Sequence, residues 1–239
     1  MIKYDIIILS GGKGTRVKKF TKNKPKCLID INGKPFLYYL MNNLKKAGLT
    51  EIYMIIGYKK RMIEKFLTEY KDEFNITVIN QFDELGDKYG TACPIECVKD
   101  LIKENFISVN GDNLYSVHDL KRMMIDDDFN YIAGIKVQDP QKYGVLIRDG
   151  DDYLDSINEK PENYVGNLIN TGLFKLTPNV FSKLPDLKKS SRDEYEFTDI
   201  ITMLAQEKKV KIKEIADYWL DLGKPSDVKK IEYFLNNNK

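Results

Sequence analysis

Three glycines, Gly11, Gly12 and Gly14, interrupt the stretch "IIILSGGKGTR", just where the apolar run Ile6–Leu9 ends. Glycines after a strand let several backbone N–H groups converge on an anion with no Cβ in the way. A helix N-terminus or an arginine then adds charge-assisted bonds. Arg16 and Lys26 supply such charge on either side of a basic stretch. A polyphosphate whose bridging bond is broken needs positive charge on both the reacting and the leaving phosphates. The lysines between them, Lys18, Lys19, Lys22 and Lys24, read as solvated loop charges. Two better-known phosphate motifs do not fit. Walker A requires Gly-Lys followed by Ser or Thr, whereas Gly14 follows Lys13 and Pro35 follows Lys34. The dinucleotide fingerprint would start at Gly12 and reach Val17, where a small residue is needed.

Two aspartates follow apolar approaches far apart in the chain: Asp112 in "FISVNGDN" and Asp221 in "YWLDLG". Each alone reads more readily as a turn or capping residue. Together with phosphate oxygens and water they suit Mg²⁺, which takes oxygen ligands and keeps part of its hydration. His118 is the only histidine, in what reads as a helix start, so a His-based triad or His-rich metal centre has little to rest on. A phosphate monoester has a second pKa of about 6, so its dianion is a nucleophile at neutral pH without a base.

These residues need a scaffold. Tyr4–Leu9, "EIYMIIG", "ITVIN" and "FISVNGD" read as strands, short and rich in β-branched residues. Helices alternate with them: one opening at Pro35 and stopped by Gly48, one over Met62–Tyr70, and one over Pro94–Lys103. Alternation of this kind predicts a Rossmann-like, mainly parallel sheet flanked by helices, with ligands beyond the carboxyl ends of its strands. Later strands, "YIAGIKV", "YGVLI", "LDSINEKP" and "NLINTGLFKL", follow one another closely. They predict an antiparallel extension or small lobe in a mixed α/β fold. A further helix is expected over Phe197–Gln206, with capping-box spacing at Ser191 and Glu194. No linker separates two domains, so residues 1–239 read as one domain with halves 1–125 and 126–239.

Composition sets the outer bounds. Lys and Arg total 38 against 36 Asp and Glu, a net charge of +2 that gives no reason to expect a nucleic-acid or membrane partner. Three cysteines without a CxxC pair read as reduced thiols rather than disulfides or a zinc site. No signal peptide and no apolar run of about 20 residues is visible, so a cytoplasmic protein is expected.

In chain order, "LSGGKGTR…KPKCLIDINGKPF", "VNGDN", "YGV", "EKP" and "WLDLG" resemble the sugar-1-phosphate nucleotidyltransferases. "PQKYGVLI", "SSRDEYEFTDII" and "YWLDLGKPSDV" look most like the glucose-1-phosphate thymidylyl/uridylyl branch. The resemblance runs nearly end to end. It implies transfer of a nucleotidyl group from an NTP, UTP or dTTP favoured, to a hexose-1-phosphate with release of pyrophosphate. It implies that Leu9, Gly11, Gly12, Gly14 and Thr15 line the nucleotide-phosphate loop, with Arg16 on the phosphates and Lys26 steadying them during transfer. Gln81, Gly90 and Thr91 match base-recognition positions, and Asp112 and Asp221 the pair that holds Mg²⁺. Gly144, Glu159 and Asn170 are similar to sugar-binding positions, Lys160 to the lysine on the sugar phosphate, and Tyr143 and Trp219 to the sugar-pocket wall. A homo-oligomer is a further expectation, since relatives often assemble as dimers or tetramers.

One departure bears on the base. The family's recognition stretch runs close to Leu-Gly-Thr-Ala, whereas this chain has "GDKYGTACPI", with Asp87, Lys88 and Tyr89 ahead of Gly90. The chain ends one helix after "DLG", so the β-helix acyltransferase domain that some relatives append is not expected in it. Two other readings stay open: a non-catalytic nucleotide-sugar-binding regulatory subunit, and a guanylyl- or cytidylyltransferase with another phosphorylated acceptor.

Overall fold

The structure, a computed structural model, describes residues 4–10, 24–57, 59–150 and 152–238. Gly11, Gly12, Gly14, Thr15 and Arg16 therefore lie outside the described residues.

In the first half, strands and helices alternate as the periodicity predicts. Strand β1 (Asp5–Leu9) is followed by the small hairpin β2 (Asp30–Ile31) and β3 (Lys34–Pro35), then by helix α1 (Phe36–Ala47). Pro35 is its N-cap, and Gly48 ends it at φ +88°, a left-handed backbone that favours glycine. Next come β4 (Glu51–Ile56), α2 (Lys60–Glu69), β5 (Asn75–Asn80), the short helices α3 (Gln81–Leu85) and α4 (Cys93–Glu96), β6 (Phe106–Asn110), β7 (Asn113–Tyr115) and α5 (Val117–Arg122). Strand β1 lies between β4 and β6, parallel to both. Ile6 and Ile8 feed one core with α1 and α2, while Ile7 feeds the other with Ile55 and Phe106. A strand covered on both faces needs apolar residues throughout, which is why "IIIL" is continuous rather than alternating.

The second half contributes β8 (Asn130–Lys136), β9 (Gly144–Asp149), β10 (Tyr153–Glu159), β11 (Leu168–Leu176), α6 (Phe197–Gln206), β12 (Val210–Glu214), β13 (Trp219–Asp221) and α7 (Pro225–Asn237). Among the described residues nine strands share one sheet, in the order β5-β4-β1-β6-β11-β8-β12-β10-β9. The fold is thus mixed α/β, parallel through β5-β4-β1-β6 and largely antiparallel beyond. Strand β9 also pairs with β11 at Ile169–Val145. That pairing closes β11, β8, β12, β10 and β9 into a ring, so the last strand offers less open edge. This ring is the small antiparallel lobe expected from the sequence.

Two local expectations are corrected. The helix expected over 94–103 is only the single turn α4. Beyond it the chain runs on in turns, with bonds such as Lys99 N–H to Glu96 O and Leu101 N–H to Val98 O. Ile95, Val98 and Ile102 are still fully buried, so the apolar spacing is satisfied without a continuous helix. The capping box at Ser191 and Glu194 does not form. Instead Ser190 N–H donates to Glu194 O at 2.8 Å in a small hairpin, and Phe197 N–H at the start of α6 is taken by Thr91 Oγ1 at 2.8 Å. A side chain distant in sequence makes the cap, which local spacing cannot reveal.

Candidate active site at the strand ends

Asp112 sits just past the end of β6. The Gly111 N–H donates to Leu9 O at 3.0 Å, and a Cβ on Gly111 would lie 2.3 Å from Ser10 Oγ. Glycine is thus what lets the Asp112 turn press against the end of β1. Strand β7 then pairs antiparallel with β13, setting Asp221 opposite Asn113, and Leu222 N–H donates to Asp112 O at 3.0 Å. Two aspartates from opposite ends of the sequence are thereby brought to one end of a three-residue ladder. A Cβ on Gly223 would lie 2.6 Å from Asp221 Oδ2, so that position too accommodates the carboxylate.

Lys26, on a single turn of 3₁₀ helix, reaches this place. Its Nζ lies 2.7 Å from Asp112 Oδ2, while Asn113 Nδ2 donates to Asp112 Oδ1 at 2.9 Å. The surrounding acids respond to the negative charge. Burial, then the charge of Asp112, pushes the Cys27 thiol up to about 12. Burial first, with Asp112 and Asp221 adding to it, raises the Tyr115 phenol well above its ordinary value. Tyr143 is raised by burial and by Asp221. All three groups stay protonated and neutral at physiological pH.

The positions expected to bind the sugar form an adjoining wall. Trp219 and Asp221 are two apart on β13, hence on one face. The Trp219 ring meets Tyr143 edge-on at 5.5 Å, and its Nε1 donates to Thr171 O at 3.1 Å. Gly144 and Glu159 face each other in the β9–β10 ladder. A Cβ on Gly144 would lie 3.0 Å from Glu159 Oε2 and 3.9 Å from Asn170 Cβ, which brings these three positions together. Lys160 follows with φ +46°, its N–H donating to Tyr143 O and its Nζ 3.2 Å from Glu159 Oε1. Asn170 Oδ1 accepts from Gly172 N–H at 2.8 Å, at the bulge that bends β11. The arrangement combines aromatic faces with carboxylate and amide groups, a lining of apolar surface with a few placed polar groups.

The positions expected to read the base are set apart from this cluster. Gln81 opens α3 at the end of β5, buried, with its Nε2 donating to Lys88 O at 3.2 Å. A cleft of about 670 Å³, lined by Gly57, Lys59, Arg61, Asn80, Phe82 and Asp83 among others, opens next to it in the chain. Gly90 has φ +144° and packs against the Tyr195 backbone, while Thr91 Oγ1 donates to Glu196 Oε2 at 3.2 Å. Thr91 is therefore already engaged at both ends of its hydroxyl.

Four contributors are not legible as such in the sequence: Asn113, Tyr115, Tyr195 and Glu196. Asn113 stands within "VNGDN" but drew no role there. Tyr115 OH donates to the same Thr171 carbonyl that Trp219 uses, and Tyr195–Glu196 clamp the Gly90 turn. Only the adjacency of Asn113 to Asp112 was available as a signal. His118 is exposed on α5, in keeping with a surface role. No helix among the described residues is long and apolar enough to cross a membrane.

Known proteins are similar to this chain over nearly all of its length. The chain is 34% identical over 232 residues to the bifunctional protein GlmU of Methanocaldococcus jannaschii, covering 97% of this chain and 54% of that protein. It is 31% identical over 233 residues to a mannose-1-phosphate guanyltransferase of Kluyveromyces lactis, covering 92% and 62%. The chain thus spans little more than half the length of these relatives. A solved UDP-glucose pyrophosphorylase complexed with UDP-glucose superposes with a TM-score of 0.83 at 22% identity, covering all of both chains, and so shares the fold. The family model for nucleotidyl transferases matches residues 5–238, and the chain belongs to that family.

Proposed function

We propose that the protein transfers a nucleotidyl group from a nucleoside triphosphate to a hexose-1-phosphate, giving a nucleotide-sugar and pyrophosphate. The observation that carries this reading is Lys26 on Asp112 at 2.7 Å, at the end of the ladder that brings Asp221 alongside. Family membership and the adjoining wall of Tyr143, Glu159, Asn170 and Trp219 support it.

The donor set fits Mg²⁺. Asp112 and Asp221 offer only oxygen, and the nearby Asn113 Oδ1 is a buried acceptor without a hydrogen-bond partner among the described residues. Bound between Asp112 and Asp221, Mg²⁺ would neutralise charge on the α-phosphate. Lys26 steadies the phosphates, Arg16 neutralises the departing pyrophosphate, and Lys160 holds the sugar phosphate against the repulsion between the two substrates. An oxygen of the sugar phosphate bonds to the α-phosphorus in line as the bond to the pyrophosphate oxygen breaks. The attacking group is already a dianion, so no residue has to remove a proton. Catalysis is then positioning and electrostatics. Glu159, Asn170 and the Gly144 backbone orient the hexose, with Tyr143 and Trp219 excluding water.

UTP or dTTP is the favoured donor, read by Gln81, Gly90 and Thr91. GTP is the second reading, favoured by the mannose-1-phosphate guanyltransferase relative and by the departure at Asp87–Tyr89. One experiment decides both: pyrophosphate release from ATP, CTP, GTP, UTP and dTTP, each with glucose-1-phosphate and mannose-1-phosphate in Mg²⁺. Release with UTP or dTTP supports the proposal, release with GTP alone reassigns the base, and silence across the grid favours a non-catalytic nucleotide-sugar-binding subunit.

A further inference from the structure

Both carboxylate oxygens of Asp112 are already occupied by donors of this chain. Oδ2 holds Lys26 Nζ at 2.7 Å, with the two side chains only 15% and 32% exposed, and Oδ1 accepts from Asn113 Nδ2 at 2.9 Å. The orientation of that amide is dictated by its partner: turned over, its carbonyl oxygen would face a carboxylate oxygen. A divalent cation seeks the same lone pairs that these donors use.

The two donors are not equally free to leave. Lys26 carries its charge on a flexible four-carbon stem and stands just after the stretch that resembles a phosphate loop, so a triphosphate offers its ammonium a second anionic partner. Asn113 is 4% exposed and fixed by its place in the β7–β13 ladder. Its Oδ1 has no hydrogen-bond partner among the described residues. A buried acceptor of that kind is ordinarily satisfied by water.

We propose that Lys26 gates the metal site. Its ammonium holds Asp112 Oδ2 until nucleotide phosphates draw it away, so that cation and nucleotide bind cooperatively, while Asn113 keeps the carboxylate aimed. The gate rests on the metal assignment proposed above. By linkage, nucleotide tightens the cation by the same factor as the cation tightens nucleotide. Without nucleotide, the fraction of molecules with Asp112 released sets the apparent metal affinity.

The test uses Mn²⁺ alone as probe, with the free ion followed by electron paramagnetic resonance and each variant's fold checked by circular dichroism. Lys26→Met is expected to bind Mn²⁺ about tenfold more tightly than wild type, although its transfer activity falls. Lys26→Arg, which keeps the charge, is expected to stay near wild type, and Asn113→Ala to bind about tenfold more weakly. Binding in Lys26→Met no tighter than in wild type, with Asp112→Ala weakened, overturns the gate and leaves the metal site standing. Unchanged binding in Asp112→Ala overturns both.

Discussion

Two of the junctions between the first half of the chain and the second are built differently. One joins Tyr89–Ala92 to Tyr195–Phe197. There Ala92 N–H donates to Tyr195 O, Tyr195 N–H donates to Tyr89 O, and Thr91 Oγ1 both gives and receives a hydrogen bond. Glu196, the acceptor from Thr91, also takes bonds from Ser190 Oγ and Arg192. The other joins Lys26, Asp112 and Asn113 to Trp219–Asp221. There two carboxylates share one end of a ladder, a lysine sits on one of them, and a buried amide oxygen has no partner among the described residues. Saturated polar groups hold a shape, because a ligand must break bonds to use them. A buried acceptor left unmet costs stability unless something arrives to answer it.

The sharpest way to break this contrast is to attack the saturated junction. Gly90→Ala places a Cβ 2.2 Å from Tyr195 O on a backbone with φ +144°. It is expected to cost on the order of 4 kcal/mol and lower Tm by about 10 °C. An unchanged Tm would mean that the Tyr195 contact does not hold the turn.

At the open junction the expected loss lies in rate, not in stability. Asp112→Ala should reduce nucleotidyl transfer about a hundredfold or more, by analogy with removal of one oxyanion donor. Its Tm should move by no more than about 3 °C, since the carboxylate is partly exposed. Wild-type turnover in Mg²⁺ would remove Asp112 from the mechanism.

Thr91→Val, which keeps the shape and deletes the hydroxyl, should cost about 1 kcal/mol as a lost helix cap, or about 3 °C in Tm, with Thr91→Ser restoring it. A raised KM for nucleotide with unchanged Tm would instead mean that the hydroxyl reads the base directly.

The smallest effect concerns pH. The Cys27 thiol is raised by burial and by Asp112 from 9.0 to about 12 in the folded protein. Unfolded chain ionises first, so the contribution is intact below pH 9 and is lost as pH climbs from 9 towards 12. Tyr115 acts in the same direction. Cys27→Ser should flatten the alkaline part of a stability-against-pH curve measured by denaturant midpoint, and an unaltered slope would discount the shift.

Much of this was legible in the residues. Strand β1 and helices α1 and α6 follow from β-branched runs, helical apolar spacing and a glycine stop, all of which act within a few residues. Asp112 and Lys26 were legible as charges after strand-end glycines and in a motif order. What failed was local spacing asked to do non-local work. The helix over 94–103 shrank to one turn because burial of Ile95, Val98 and Ile102 does not demand a continuous helix. The capping box at Ser191 and Glu194 was displaced by Thr91, whose hydroxyl arrives from the other half of the chain. Asn113 went unassigned because an asparagine beside an aspartate is ordinary in a turn until its burial is known.

By itself, then, the sequence determined the alternation of strands and helices, the apolar faces and the chemical types available at the strand ends. These depend on periodicity and side-chain chemistry, which are properties of short stretches. Only the tertiary structure decided that Asp221 lies across from Asn113, that Lys26 rests on Asp112, and that Thr91 caps α6. Such contacts are fixed by strand pairing and by closure of the β11-β8-β12-β10-β9 ring, where residues far apart in the chain meet because their backbones must be satisfied.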